Sequence, residues 1–317
     1  ADVMPSSKSE EFARPEDLAQ KAGDLNPSAA HRLLRYLSTI DVCIEHESGG
    51  LYKLGPVGDV CTTHHPNSAA GKILLEGSAT HMNLWMHSST FVKTGEKVMK
   101  DATGHDDYWS MCKANPEHLN VFQEAMSSYS NDEATMMKLP FLSPTFDLSS
   151  FATVCDLGAA EGALAKAINE RYPSCQYILA DLQEAVDRID ASTLPSNMTA
   201  QACDFLNKET IPKADAYLLK HILHDWDNAC CITILQNIHY ANPQAKVFIL
   251  EFGPMPGPNV PHLSKLFDLH LGIVLNGKER SQEEYDALYK QSGFKCETTH
   301  LLMEGNYPLY VQEIGSI

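Results

Sequence analysis

Two stretches of this chain place residue types at spacings that chemistry can use. The first is Asp156-Leu157-Gly158-Ala159-Ala160-Glu161-Gly162, set between the apolar run FATVCDL and the helical pattern ALAKAINERYP. At the carboxyl end of a strand and the start of a helix, small residues let the backbone approach a ligand, and free amides at the helix start hold a carboxylate or phosphate. Asp181, 23 residues beyond Gly158, ends the next strand-like run, QYILADL, where a carboxylate can accept both hydroxyls of a ribose. The pair suits a dinucleotide or S-adenosylmethionine, and an ordinary tight turn has the same composition. Two details favour the second ligand. The spacing is G-x-x-x-G, without the G-x-G-x-x-G of a pyrophosphate cradle, and Asp156 stands two residues before the first glycine, where an acid is tolerated by a ligand without phosphate.

The second stretch is LLKHILHDW, with His221, His224 and Asp225 at spacings of three and four. On one helical face such residues can hold a metal, and a single histidine there is equally at home as a structural residue or as a base titrating near 6.5. No second ligand cluster accompanies them, so no metal is expected. Glu251 ends the run KVFILEF, and a carboxylate at the end of a central strand is costly unless it is partnered. Glu279 lies in NGKERSQEEY, which also reads as a loop entering a helix, with Ser281 and Glu284 spaced as a capping box.

The elements that must position these residues alternate strand, turn and helix after Pro140, which argues for a parallel sheet with crossover helices. Further strands are expected near 200–205, in DAYLLK and in KVFILEF, and an antiparallel hairpin at the sheet edge from Phe294 to Leu302 and Tyr307 to Ile314. Earlier, helical patterns run to about Cys61, and CIEHESGGLYKLG has the two-residue turn chemistry of a hairpin at Gly49-Gly50, which together suggest a winged-helix module. Several helices rich in large apolar residues fill Lys72 to Lys138, and the domain boundary is expected between Pro140 and Ser150. With 317 residues the chain is long enough for both parts.

Composition narrows the partners. Against 24 basic residues stand 41 acidic ones, a formal net charge of −17, whose field repels nucleic acid and anionic membranes. Nine cysteines without a C-x-x-C pair read as reduced thiols of a cytoplasmic protein. No apolar run approaches the roughly 20 residues of a membrane span, and Ala1 to Glu10 lack a secretory pattern.

The segment DAYLLKHILHDWDNACCITILQNIHYANP resembles a signature of the plant-type small-molecule O-methyltransferases, the group containing caffeic acid and hydroxyindole O-methyltransferases. VFILEFGPMP and NGKERSQEEYDALYKQSGF follow in the family's order, and HRLLRYL, the GLYKL wing, VKTGEKV and NVFQEAMSSYS precede, so the resemblance begins near Leu18 and covers nearly the whole chain. It implies a class I, Rossmann-like α/β fold over 141–317, mostly parallel with an antiparallel edge hairpin. A winged-helix and helical module over 1–140 would pair two copies as a homodimer and wall the acceptor site; the amino end is shorter than in relatives with extra helices, so a smaller interface is expected. The implied cofactor is S-adenosyl-L-methionine, with S-adenosyl-L-homocysteine as product, and the implied acceptor is a small aromatic hydroxyl compound.

Carried over by position, the resemblance implies cofactor contacts at Gly158, Asp181, Leu182, Asp204, Phe205 and Lys220, with Asp181 at the ribose and Asp204 and Phe205 at the adenine. His224 matches the catalytic base, and Glu251 and Glu279 the carboxylates that flank it. The acceptor would meet Phe122, Met126, Tyr129, His270, Leu271 and Asn276. A phenol, with a pKa of about 10, needs such a base at neutral pH. One departure stands out: the family loop reads D-x-G-G-G-x-G, and Ala159 and Ala160 replace two of its glycines while Glu161 adds a charge. That departure keeps open a catalytically silent cofactor-binding or regulatory homologue. A nicotinamide-dependent oxidoreductase is disfavoured by the missing glycine spacing.

Overall fold

The computed structural model describes residues 1–137, 147–275, 277–303 and 308–317. The chain divides into two compact units, Ala1–Ser78 with Pro116–Tyr129, and Ala79–Asn115 with Ser130–Ile317.

In the first unit, helices Pro15–Lys21 and Pro27–Leu37 each begin on a proline, whose missing N–H costs nothing at that position. Asn26 caps the second helix by accepting from the Ala29 amide at 3.0 Å. Two short antiparallel strands follow, β1 (Cys43–Glu45) and β2 (Tyr52–Leu54). The hairpin closes through His46 N donating to Leu51 O at 2.9 Å. Its turn is therefore the four residues Glu47 to Gly50 and not the two glycines alone. Leu18, Leu34, Cys43 and Tyr52 form the small core beneath it.

The second unit is built on a seven-stranded sheet. Five strands are parallel: β3 (Thr153–Leu157), β4 (Gln176–Asp181), β5 (Met198–Ala202), β6 (Ala216–Lys220) and β7 (Lys246–Glu251). The antiparallel pair β8 (Phe294–Met303) and β9 (Leu309–Ser316) completes the edge, in the order β5-β4-β3-β6-β7-β9-β8. The expected mostly parallel sheet with an antiparallel edge hairpin is present. Strands β6 and β7 are apolar but for charged residues at their ends, and β3 is interrupted by Asp156 alone among its inner residues, because both sheet faces are covered. Val154, Leu218, Phe248 and Leu250 pack with Leu164, Ala165 and Ile168 of helix Ala163–Arg171. Cys155, Tyr217, Leu219, Val247 and Ile249 pack on the other face with Ile234, Leu235 and Ile238 of helix Asn228–Ala241 and with Tyr285, Leu288 and Tyr289 of helix Gln282–Gln291. Each such large apolar side chain contributes roughly 1.5–3 kcal/mol by leaving water.

The capping box read from Ser281 and Glu284 forms in both directions. Helices Ala79–Met86, Ser88–Thr94, Met99–Thr103 and Tyr108–Ala114 also belong to this unit, and the first two lie against helix Leu263–Val274. All nine cysteines are free. Among the described residues no helix is long and apolar enough to cross a membrane.

Candidate active site

The chain builds β3, β4 and β5 outward in one direction and returns to place β6 and β7 on the other side of β3. That reversal opens a crevice outside the carboxyl ends of the strands. Every strand beside it delivers a chemically active residue at or just past its last position: Gly158 after β3, Asp181 on β4, Asp204 and Phe205 after β5, Lys220 on β6 and Glu251 on β7.

Gly158 turns out of β3 with a φ of 81°, and a Cβ there would stand 2.3 Å from Ile222 Cδ1. Ala160 adopts a φ of 49°, the left-handed region that disfavours any residue with a β-carbon. One of the two alanines that depart from the family loop thus stands where glycine would be unstrained; Ala159 does not, and it is buried. A charge-assisted bond holds the strained residue. Ala160 N donates to Asp181 Oδ2 at 2.7 Å, while Leu182 N donates to Oδ1 at 2.7 Å. Glu161 and Leu182 are exposed.

Asp156, beneath this loop, is buried, and its Oδ2 has no hydrogen-bond partner among the described residues. Burial pushes its carboxyl up to about 7, with the charge of Lys220 working against the rise. Beyond β5, Asp204 is exposed and its Oδ1 accepts from Leu206 N at 2.9 Å. Phe205 meets Trp226 edge to face, with ring centroids 5.7 Å apart.

On the other side of the crevice, His224 sits in a single tight turn, Leu223–Asp225, and is 5 % exposed. Its ring Nδ1 lies 2.8 Å from Glu279 Oε1, its Nε2 lies 3.5 Å from Asp225 Oδ1, and its backbone N–H donates to Glu251 Oε1 at 3.0 Å. Glu251 Oε2 in turn accepts from the Tyr285 hydroxyl. Burial, the largest single influence on the imidazole, pushes its pKa down, but Asp225, Glu279 and Glu251 together overcome it and raise the ring to about 9. Asp225 is raised to about 6, first by burial, with His224 opposing the rise and Glu251 and Glu279 adding to it.

Beside His224 runs a file of rings within the same unit. His221 stacks on His224 at 5.0 Å, Phe252 follows at 4.5 Å from His221, Phe267 at 4.6 Å from Phe252, and His270 at 5.8 Å from Phe267. Of the expected acceptor residues, His270 and the buried Leu271 thus lie on helix Leu263–Val274 of this unit. Phe122, Met126 and Tyr129 lie half-buried on helix Pro116–Met137 in the first unit, with the Lys72 ammonium 4.4 Å from the Tyr129 ring centre. Asn276 lies outside the described residues.

Sequence reading did not single out Asp268, Arg280 or Tyr285. Asp268 Oδ1 accepts from Glu279 N at 3.0 Å, and Arg280 is wholly buried beside the His224 turn. Nothing local marks them: Arg280 stands in a polar run that reads as solvated loop, and Tyr285 looks like any aromatic on the inner face of a helix.

Known proteins resemble this chain over most of its length. Residues 85–295 match the family model of the O-methyltransferase domain. The chain is 30 % identical over 287 residues to Phenazine O-methyltransferase PhzM of Lysobacter antibioticus, covering 89 % of this chain and 81 % of that protein. It is 29 % identical to Caffeic acid 3-O-methyltransferase of Catharanthus roseus over 90 % of this chain and 80 % of that one. Among solved structures, Mitomycin 7-O-methyltransferase MmcR superposes with a TM-score of 0.83 at 28 % identity, over 98 % of this chain and 89 % of that one.

Two outcomes follow from the geometry. Ala160→Gly removes the left-handed strain, set against glycine's greater freedom when unfolded, and is expected to stabilise the protein by about 0.5–1 kcal/mol in urea titration; a loss of stability would mean that the loop is not strained. The raised pKa of His224 contributes stability that is fully present below its ordinary 6.5 and is lost as pH rises through about 9. Between those values the unfolding free energy of the wild type should therefore fall more steeply than that of His224→Gln, and parallel curves would contradict the assignment.

Proposed function

The chain belongs to the O-methyltransferase family, and on that premise we propose that it moves a methyl group from S-adenosyl-L-methionine to a hydroxyl of a small aromatic acceptor, with His224 as general base. The observation that carries the proposal is the 2.8 Å contact between His224 Nδ1 and Glu279 Oε1 inside a buried site. With its hydrogen committed to Glu279, the neutral ring keeps Nε2 for an acceptor hydroxyl. The acidic neighbours that raise the ring to about 9 bring its affinity for a proton close to that of a phenol, about 10, so the transfer is nearly balanced.

The crevice fits the cofactor. Each Asp181 oxygen keeps acceptor capacity beyond the one backbone amide it already holds, which suits the two ribose hydroxyls. Gly158 gives close backbone approach, and Phe205 with Asp204 offers an aromatic and a polar edge to the adenine. The unpartnered Oδ2 of Asp156 and the absence of a pyrophosphate spacing favour a cationic ligand over a phosphate-bearing one. When bound, the cofactor supplies a methyl group on a positively charged sulfur. The protein's part is to hold the acceptor oxygen in line, exclude water and take the proton at Nε2.

An aromatic acceptor is supported by the ring file His221, Phe252, Phe267 and His270, and by relatives named for phenazine and caffeic acid. Residues 1–140 are assigned to subunit pairing and acceptor walling, and 141–317 to cofactor binding. The exposed Leu33, Tyr36, Ile40 and Ile44 of the first unit are the kind of apolar surface that pairs subunits into a homodimer.

Calorimetry with S-adenosylmethionine and S-adenosylhomocysteine is expected to give micromolar binding that Asp181→Ala abolishes. A panel of phenols including caffeic acid should then reveal methyl transfer that rises toward pH 9 and falls about 100-fold or more in His224→Ala, with cofactor binding retained. Absence of binding at millimolar cofactor would leave only the silent homologue.

A further inference from the structure

Arg280 is the largest fully buried side chain among the described residues, and apart from a 3.3 Å bond from Nη1 to Lys278 O its guanidinium is directed at the His224 turn and Asn228 just beyond it. Nη1 donates to Leu223 O at 2.8 Å and Nη2 to Trp226 O at 2.7 Å, the carbonyls on either side of His224-Asp225. Nε and Nη2 donate to Asn228 Oδ1 at 3.2 and 3.1 Å, which fixes the plane of the fork. The neighbouring residues grip the same turn: Lys278 N donates to His224 O at 2.9 Å, and Glu279 meets the ring. A Cβ on Gly277 would stand 2.2 Å from His224 O, so this strand of chain lies directly against the turn. The turn's own bonds are long, Asp225 N to Ile222 O and Trp226 N to Leu223 O both at 3.2 Å.

We propose that Arg280 is a positioning residue for methyl transfer, a fork that spans the His224 turn from carbonyl to carbonyl and so sets where the imidazole meets Glu279. The proposal rests on reading His224 as the base. One other described side chain reaches both ends of this turn, Cys231, whose Sγ lies 3.1 Å from Leu223 O and 3.5 Å from Trp226 O, but a thiol carries a single weak donor hydrogen and cannot hold both carbonyls at once. Lysine, a point charge on a flexible stem, keeps the cation but cannot bridge two carbonyls and an amide oxygen at once.

The test is a ¹⁵N-histidine NMR titration of wild type and Arg280→Lys, with the His224 signal assigned by its loss in His224→Gln. The ring is expected to titrate well above 6.5 in the wild type and at least about one unit lower in Arg280→Lys, because its carboxylate neighbours are no longer aligned. In turnover, kcat should fall about 10- to 100-fold with the cofactor Kd unchanged. An unmoved His224 titration overturns the proposal, whether kcat is unchanged or falls only with the folded fraction. If Arg280→Lys does not fold, Asn228→Ala, which removes the exposed oxygen that orients the fork and leaves the cation, is read in the same way. Because the titration needs no acceptor, failure of His224 as base, seen as turnover surviving in His224→Gln, is distinguishable from failure of Arg280 as its clamp.

Discussion

The contact between His224 and Glu279 is the constraint to which the surrounding structure answers. A carboxylate and an imidazole removed from water repay their desolvation only if their geometry is close and their remaining polar atoms are satisfied. Around this pair the chain supplies much of what that demands, although Glu279 Oε2 is buried without a hydrogen-bond partner among the described residues. The His224 amide and the Tyr285 hydroxyl take the two oxygens of Glu251, Asp268 receives the Glu279 amide, and Arg280 takes the carbonyls of the turn. Each partner comes from a different element, so the pair is correct only when β6, β7 and the two helices behind them are packed in register.

The Asp181 side of the crevice obeys the same logic with backbone donors. The Asp181 carboxylate gathers the amides of Ala160 and Leu182, and that bond keeps an alanine in a left-handed conformation that the loop would otherwise give to glycine. Local strain there is tolerated because a charge-assisted bond opposes it. The alanine at 160 therefore raises the energy of the loop, and the Asp181 carboxylate opposes that rise.

The sheet was legible in the sequence because its central strands are buried on both faces, so apolar runs and the Gly158 turn mark them directly. Asp181 and Glu251 were legible because an acid at the end of such a run needs a reason. Glu279 had no such mark and came from the resemblance to known methyltransferases. Arg280, Tyr285 and Asp268 were not legible at all: their roles depend on contacts tens of residues away, such as the 57-residue separation between Arg280 and Leu223. The same holds for helix Pro116–Met137, whose Glu124 and Ala125 backbone lies against Gly71 with no local pattern to announce it. The two glycines at 49 and 50 named a hairpin correctly, but the length of its turn was set by where His46 and Leu51 could pair.

Surrounding a histidine with three acids looks wasteful until the charges are followed. A neutral imidazole in an apolar pocket would bind a proton too weakly to take one from a phenol, and burial alone pushes His224 in that direction. Asp225, Glu279 and Glu251 reverse the shift, and Lys220, whose charge also acts on Asp156 and Asp225, limits how negative the crevice becomes. The result is a ring that holds a proton firmly enough to accept it and sits in a field that favours a cationic methyl donor. Proton affinity and ligand charge are thus tuned by the same acids, which ties His224, in the turn after β6, to the acids around it more tightly than any one hydrogen bond does.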